Sequence, residues 1–264
     1  MGQPFEKVYR VLAKQLLEAA PDVETARWQG LDISSSQAHV MRELMDVSLQ
    51  LAIPTSAELL ANEISPNLPW AEDHFLERVS GIPMNPPPSA EWWPWAQKNN
   101  DQFKSDQRFS HTYPERFWPR RARAEGWQEG PGVSDNMGIR FRYGDLDDVV
   151  RRLTEDITTR QAYLPVWFPE DTGCHISERV PCTLGYHFIF RKEALHATYY
   201  IRSCDLVRHF RDDVYMAGRL QQWVAEALED YFEIDIPTGN LTMHITSLHC
   251  FRGDVDKLRE EARA

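Results

Sequence analysis

Cys182, in the string ERVPCTLGYHFIF, is the residue with the most chemistry within its reach. A cysteine thiolate is a strong nucleophile at neutral pH, although a cysteine opening a strand also serves well as a small buried hydrophobe. Arg202 follows 202 − 182 = 20 positions later in IRSCD, with Ser203 and Asp205 beside another cysteine. If the two segments pair as strands, the Arg202 guanidinium lies close to Cys182, where it favours the thiolate. Arg202 and Ser203 together make a fork-and-hydroxyl pair suited to a phosphate. Further on, HITSLH carries His244, Thr246 and His249. An R-S-x-D string is common by chance, so the weight rests on the order and spacing of all these segments.

These residues need strands and helices to bring them together. QAYLPVWF, CTLGYHFIF, HATYYIRS and LTMHITSLHCF are rich in aromatic and β-branched residues and read as strands. DLDDVVRRLTEDI reads as an amphipathic helix with Leu146, Val149, Val150 and Leu153 inward, and MAGRLQQWVAEALEDYF as a long helix. FEKVYRVLAKQLLEAA is apolar at helical spacing through Phe5, Val8, Val11, Leu12, Leu16 and Leu17. QAHVMRELMDVSLQL, after a serine run that can cap it, is expected to be a second helix. Segment 83–95, PMNPPPSAEWWPW, has too many prolines for a regular element and reads as an ordered loop anchored by its tryptophans.

The whole chain narrows the functional classes. Its 264 residues fit a single domain, 1–264, with a substantial core. No apolar run approaches the ~20 residues of a membrane span, and the N-terminus lacks a signal-peptide core, so a cytoplasmic location is expected. A formal charge of −11 argues against broad electrostatic binding of nucleic acid, but not against a small anion held by a few arginines. Cys174, Cys182, Cys204 and Cys250 show neither a CxxC pair nor zinc spacing, so free thiols and no metal are expected.

P-C at 181–182, Y-x-R-S-x-D at 200–205, a long helix, and H-x-T-x-x-H at 244–249 together resemble the thymidylate synthase family. The gap from cysteine to arginine matches that family's without insertion. Upstream, DDVVRRLTEDITTRQAYLPVWFPED resembles the family's segment in which a helix leads to an arginine pair and then a strand, with Arg160 on the first arginine and Gln161 in place of the second. The resemblance spans about 139–251 and is thin before it. It implies a mixed α/β (α+β) fold with a mostly antiparallel sheet flanked by helices, and a homodimer through sheet packing. It also implies a mechanism: Cys182 adds to C6 of a pyrimidine nucleotide, C5 takes the methylene of 5,10-methylenetetrahydrofolate, and loss of the C5 proton and the folate leaves an exocyclic methylene. On the same resemblance Arg202, Ser203 and the partner subunit's Arg160 hold the phosphate, and Asp205 belongs to the folate and water network. Tyr113 resembles the family's tyrosine that helps remove the C5 proton, or is an ordinary packed tyrosine. Glu72, with Glu77 as its rival, matches the catalytic glutamate. Arg27 is a candidate second phosphate ligand, and His244 and Thr246 stand where a His and a Tyr contact the sugar.

The departures decide the expected substrate. Counting from Asp205 without a gap, the family's base-reading asparagine falls on Asp213, with Asp212 as the alternative and a helix N-cap as the plainer role. A carboxylate can accept from the cytosine amino group and favour a protonated N3, while it repels O4 of uracil; the family's cytidylate hydroxymethylases carry aspartate here. Thr183 replaces the histidine after the nucleophile, Thr246 replaces the tyrosine, and the chain stops after CFRGDVDKLREEARA without the usual apolar tail. A site that closes less tightly suits addition of water to the exocyclic methylene. The expected reaction is therefore 5-hydroxymethylation of dCMP or CMP. The alternatives are methylation or hydroxymethylation of dUMP or UMP, and a non-catalytic nucleotide- or RNA-binding relative.

Overall fold

The structure is a computed structural model that describes residues 2–28, 31–94, 103–122, 144–174 and 178–263. Its centre is a sheet of β1 (Asp22–Val23), β2 (Met41–Ala52), β3 (Ala162–Pro165), β4 (Thr183–Arg191), β5 (Ala194–Asp205) and β6 (Thr238–Phe251). The strand order is β1-β2-β6-β5-β4-β3, with β5 and β6 parallel and every other neighbouring pair antiparallel. Around it lie α1 (Phe5–Glu18), α2 (Ala57–Ile64), α3 (Trp70–Val79), α4 (Tyr113–Phe117), α5 (Leu146–Glu155), α6 (Phe210–Phe232) and α7 (Val255–Glu261). Parallel neighbours need a long crossover, and α6 supplies it. It buries Phe210, Val214, Tyr215, Ala217, Leu220, Val224 and Leu228, and it packs on α2, α3 and α5 as well as on the sheet.

Two readings of helices have different outcomes. α1 buries Phe5, Leu12 and Leu16 as expected, but Tyr9 and Ala13 complete its inner face and Val11 is 51% exposed. The segment expected to be a second helix is instead β2, preceded by a short 3-10 turn at Gln37–His39. Long-range pairing explains this: β2 is hydrogen-bonded along β6 from Met41↔Phe251 to Ala52↔Asn240. Its second half, Val47-Ser48-Leu49-Gln50-Leu51-Ala52, in fact alternates apolar and small or polar residues with the period of a strand.

The β4–β5 hairpin sets the geometry of the site. Arg191 pairs with Ala194 across a two-residue turn, Lys192 and Glu193, both at positive φ (52° and 59°) as the tightest hairpin turns require. From there the register runs to Thr183↔Ile201. The Arg202 N–H then donates to the Cys182 carbonyl at 2.9 Å, so nucleophile and arginine meet at the open end of the hairpin. Gly185 interrupts this register, and a side chain there would strike the Leu164 carbonyl oxygen at 2.6 Å. The proline-rich segment is ordered through residue 94, with a 3-10 turn at Pro88–Trp92 and Asn85 bonded to Phe109 and Glu115; Trp95 lies outside the described residues.

Candidate active site

A cavity of about 190 Å³ opens where β4 begins, between α3, α4, the first turn of α6 and the segment 87–93. Cys182 and Ser203 come to it from the sheet, Tyr113 from α4, Asp212 and Asp213 from α6, and Trp70, His74 and Arg78 from α3. The α3 residues stand at i, i+4 and i+8, the spacing that places side chains on one helix face.

Cys182 is reachable through the cavity yet surrounded by protein. Burial raises its thiol pKa above the ordinary value; the nearby Arg202 and Arg179 cations act against that shift, and Asp213 adds to it. The Arg202 Nη2 lies 3.9 Å from Cys182 Sγ, while Nε and Nη2 also donate to the Pro181 and Val180 carbonyls at 2.9 and 3.2 Å. The arginine therefore favours the thiolate, as expected from the spacing, but burial outweighs it and the resting group is the thiol.

Asp213 sits within the first turn of α6, and His209, rather than Asp213, holds the N-cap position. Burial, with Asp212 and Asp205 nearby, raises its carboxyl pKa to about 7, against the pull of Arg78. The Cys204 thiol donates to its Oδ2 at 3.4 Å. Asp212 is engaged differently: Asn67 donates to both its oxygens at 2.8 Å and ties α6 to the start of α3. Of the two neighbours, Asp213 is the one left to a ligand. Tyr113 bonds Thr183 Oγ1 at 3.2 Å, and Thr183 in turn bonds Tyr199 at 2.9 Å. Thr183, 1% exposed, thus links two phenols beside the nucleophile.

Arg78 is 5% exposed and stacks over the Tyr113 ring at 4.0 Å. Its Nε is buried without a hydrogen bond among the described residues. A buried guanidinium left this way is costly unless a ligand supplies the acceptor. With Arg179, which also lines the cavity, it makes a cationic lining in an acidic protein.

A model of the family described as thymidylate synthase matches residues 90–263. The chain belongs to the thymidylate synthase family. Two curated relatives share the name "Putative thymidylate synthase". The one from Methanococcoides burtonii is 25% identical over 167 residues, covering 61% of this chain and 71% of the relative. The one from Methanothermobacter thermautotrophicus is 26% identical over 158 residues, covering 56% and 67%. The fold is similar to that of the thermostable thymidylate synthase A from Bacillus subtilis, with a TM-score of 0.68 at 13% identity over 98% of this chain and 84% of that one. As a member of this family the protein is a one-carbon transferase of nucleotide metabolism, and the family's one-carbon donor is methylenetetrahydrofolate.

Within the thymidylate synthase fold, the residues expected from sequence divide into two groups. Cys182, Ser203, Asp213 and Tyr113 line the cavity, and Arg202 borders it through Cys182. Asp205, 2% exposed, lies just behind: its Oδ1 accepts from the Val207 and Arg208 backbones at 2.9 and 3.0 Å, and its Oδ2 lies 3.7 Å from Arg208 Nε with no hydrogen bond among the described residues. Glu72 does not line the cavity. Its carboxylate takes Arg219 at 3.1 Å and Tyr215 at 2.8 Å, because residue 72 lies on a different face of α3 from 70, 74 and 78. Its rival Glu77 also lies off the cavity, behind His74. Arg27 is on an exposed two-residue strand near Asp32, and Arg160 is exposed, with its carbonyl accepting from His187. His244 and Thr246 are exposed on the sheet, His244 stacked on Tyr200 and bonded to Ser48 at 2.9 Å.

His74, Arg78 and Arg179 were missed. For the first two the signal is the i, i+4, i+8 spacing from Trp70, on a helix face that carries no carboxylate. Arg179 sits in a loop, where no periodicity marks it. Among the tryptophans, Trp93 lines the cavity and stacks on His209 (5.6 Å, 14°), whereas Trp92 is 46% exposed.

Proposed function

We propose that the protein transfers a one-carbon unit from 5,10-methylenetetrahydrofolate to C5 of a cytidine monophosphate, dCMP or CMP, and hydrates the adduct to the 5-hydroxymethyl product. The observation that carries this reading is the Asp213 carboxyl in the cavity with Cys182, buried and holding its proton to about pH 7. Cytosine offers a bare acceptor at N3 beside an amino donor at position 4. A protonated carboxyl donates to N3 and accepts from the amino group at once. As Cys182 sulfur bonds to C6, Asp213 passes its proton to N3, and the ring gains an enamine-like C5 without net charge. The ionised Asp213 then faces a protonated N3 and an amino group, both donors.

The remaining residues have consistent parts. The Cys182 thiol gives its proton to solvent before it adds, and Arg202 and Arg179 hold the sulfur's charge as it ionises. Tyr113, in its hydroxyl chain with Thr183 and Tyr199, relays the C5 proton. The planar faces of Trp70 and Trp93, both on the cavity wall, fit a pterin ring. When bound there, methylenetetrahydrofolate supplies an electrophilic methylene. Arg160, exposed and away from the cavity, serves the phosphate site of a second subunit in a homodimer.

One observation favours a second reading, uridylate as substrate. The Arg78 guanidinium, which lines the cavity, can donate to O4 while Asp213 accepts from N3–H. Asp213→Asn separates the two. If Asp213 reads cytosine, kcat/KM for the cytosine nucleotide falls by roughly 10²-fold or more, with a smaller gain for the uracil nucleotide of the same sugar. An unchanged base preference in Asp213→Asn sinks the cytidylate reading.

A further inference from the structure

Behind the cavity wall, α3 and the segment that follows it form a hydrogen-bonded chain ending on His74. His74 Nδ1 lies 2.8 Å from Ser89 Oγ and 3.3 Å from Glu77 Oε2. The Ser89 backbone N–H donates to Glu77 Oε1 at 2.6 Å, and the Ser89 hydroxyl donates to Glu77 Oε2. A serine hydroxyl has one proton to give. With that proton on Glu77, Ser89 Oγ can only accept, so Nδ1 carries the imidazole hydrogen and Nε2 keeps a bare lone pair. No described residue hydrogen-bonds Nε2. The ring is held on both sides, stacked on Trp70 (5.0 Å, 20°) and edge-on to Tyr113 (6.3 Å, 87°), and Trp70 is itself fixed by its N–H to the Ser89 carbonyl at 3.0 Å. The arrangement is a fixed, directed base on the wall of the cavity that holds Cys182.

We propose that His74 accepts the proton of the water that adds to the exocyclic methylene of the nucleotide adduct, with Glu77 and Ser89 as the residues that position it. The inference rests on the hydroxymethyl reading above. In this step the water oxygen bonds to the methylene carbon while one of its protons passes to Nε2. The methylene π pair moves into the ring, and C5=C6 re-forms as the Cys182 sulfur leaves C6 with its bonding pair. The proton on Nε2 then returns to the thiolate, so both groups end as they began. Burial and the Arg78 cation one turn away lower the imidazole pKa against the pull of Glu77, so the lone pair is available in the neutral range.

The test compares wild type, His74→Ala, His74→Gln, His74→Glu and Glu77→Gln, each shown folded by circular dichroism. Each is given cytidine nucleotide and methylenetetrahydrofolate, with and without 2-mercaptoethanol, and products are identified by mass. A 5-fluoro nucleotide, which has no C5 proton to lose, reports the Cys182 adduct separately by intact-protein mass. His74→Ala and His74→Gln should trap the fluoro adduct like wild type and lose hydroxymethyl product by roughly 10²-fold. With the thiol present, they should release the thioether of the exocyclic methylene instead, since part of the thiol is already thiolate in solution and needs no base from the protein. His74→Glu should recover part of the hydration and Glu77→Gln lose a part. Hydroxymethyl product at the wild-type rate in His74→Ala overturns the proposal, as does loss of the fluoro adduct, which would place His74 in binding. A wild type that yields a methyl product instead fails the hydroxymethyl reading itself, and that arm identifies which of the two has failed.

Discussion

At the residue scale, the site depends on two groups whose burial opposes their charge. Cys182 rests as a thiol because burial outweighs Arg202 and Arg179. Cys182→Ala and Cys182→Ser should each abolish turnover with the melting curve unchanged, whereas Cys174→Ala should remain active; near-normal activity in Cys182→Ala contradicts a covalent mechanism. Asp213 has the larger consequence for stability. Its folded pKa of about 7 lies above the ordinary 3.8. Between those values the folded state holds a proton that the unfolded chain has lost, so unfolding free energy falls as pH rises through this window and then levels off. Asp213→Asn removes that share of the loss. The variant should match wild type near about pH 4 and exceed it by on the order of 4 kcal/mol near about pH 8 in urea unfolding. Equal stability of the two proteins across the whole range would mean that Asp213 is not buried as described. Much of this site was legible in the spacing from Cys182 to Arg202, Asp205 and Asp213, because a hairpin and the helix after it preserve sequence distance. Thr183 was read as a missing histidine, and its part as a bridge between Tyr113 and Tyr199 is a tertiary contact that no local pattern encodes.

At the element scale, α3 shows what local pattern can and cannot give. Glu72 was expected at the chemistry, and the structure uses it to fasten α3 to α6 through Arg219 and Tyr215. Glu72→Gln should therefore cost about 1–2 kcal/mol and lower the melting temperature by a few degrees, while kcat changes less than about threefold. A large fall in kcat at unchanged stability would return Glu72 to the active site. The face of α3 that does reach the cavity is readable from 70, 74 and 78, but it carries a histidine and an arginine where the resemblance implies a glutamate. The strands of the second half were legible because aromatic and β-branched runs survive in any register. β2 was not, since apolar residues in its first half also fit helical spacing, and only its partner β6 selects the strand.

At the scale of the whole molecule, a chain of net charge −11 holds Arg78, Arg179 and Arg202 at or beside one cavity, so an anionic nucleotide is met by local rather than overall charge. Among the described residues no helix is long and apolar enough to cross a membrane. Arg160 stands apart from the cavity of its own chain, and its proposed role across a homodimer makes an assembly-level prediction. Arg160→Ala and Cys182→Ala proteins, each inactive alone, should regain activity when mixed, because a hybrid dimer contains one site with neither lesion. No recovery after subunit exchange has been demonstrated would remove the shared site. The central claim, Cys182-dependent hydroxymethylation of a cytosine nucleotide, is tested most directly by a substrate panel. Wild-type protein is incubated with methylenetetrahydrofolate and each of dCMP, CMP, dUMP and UMP, and the nucleotide products are weighed by mass spectrometry. The account predicts a gain of the elements of formaldehyde on dCMP or CMP and no change in the uracil nucleotides. A methyl group gained by dUMP or UMP, with the cytosine nucleotides untouched, would contradict it.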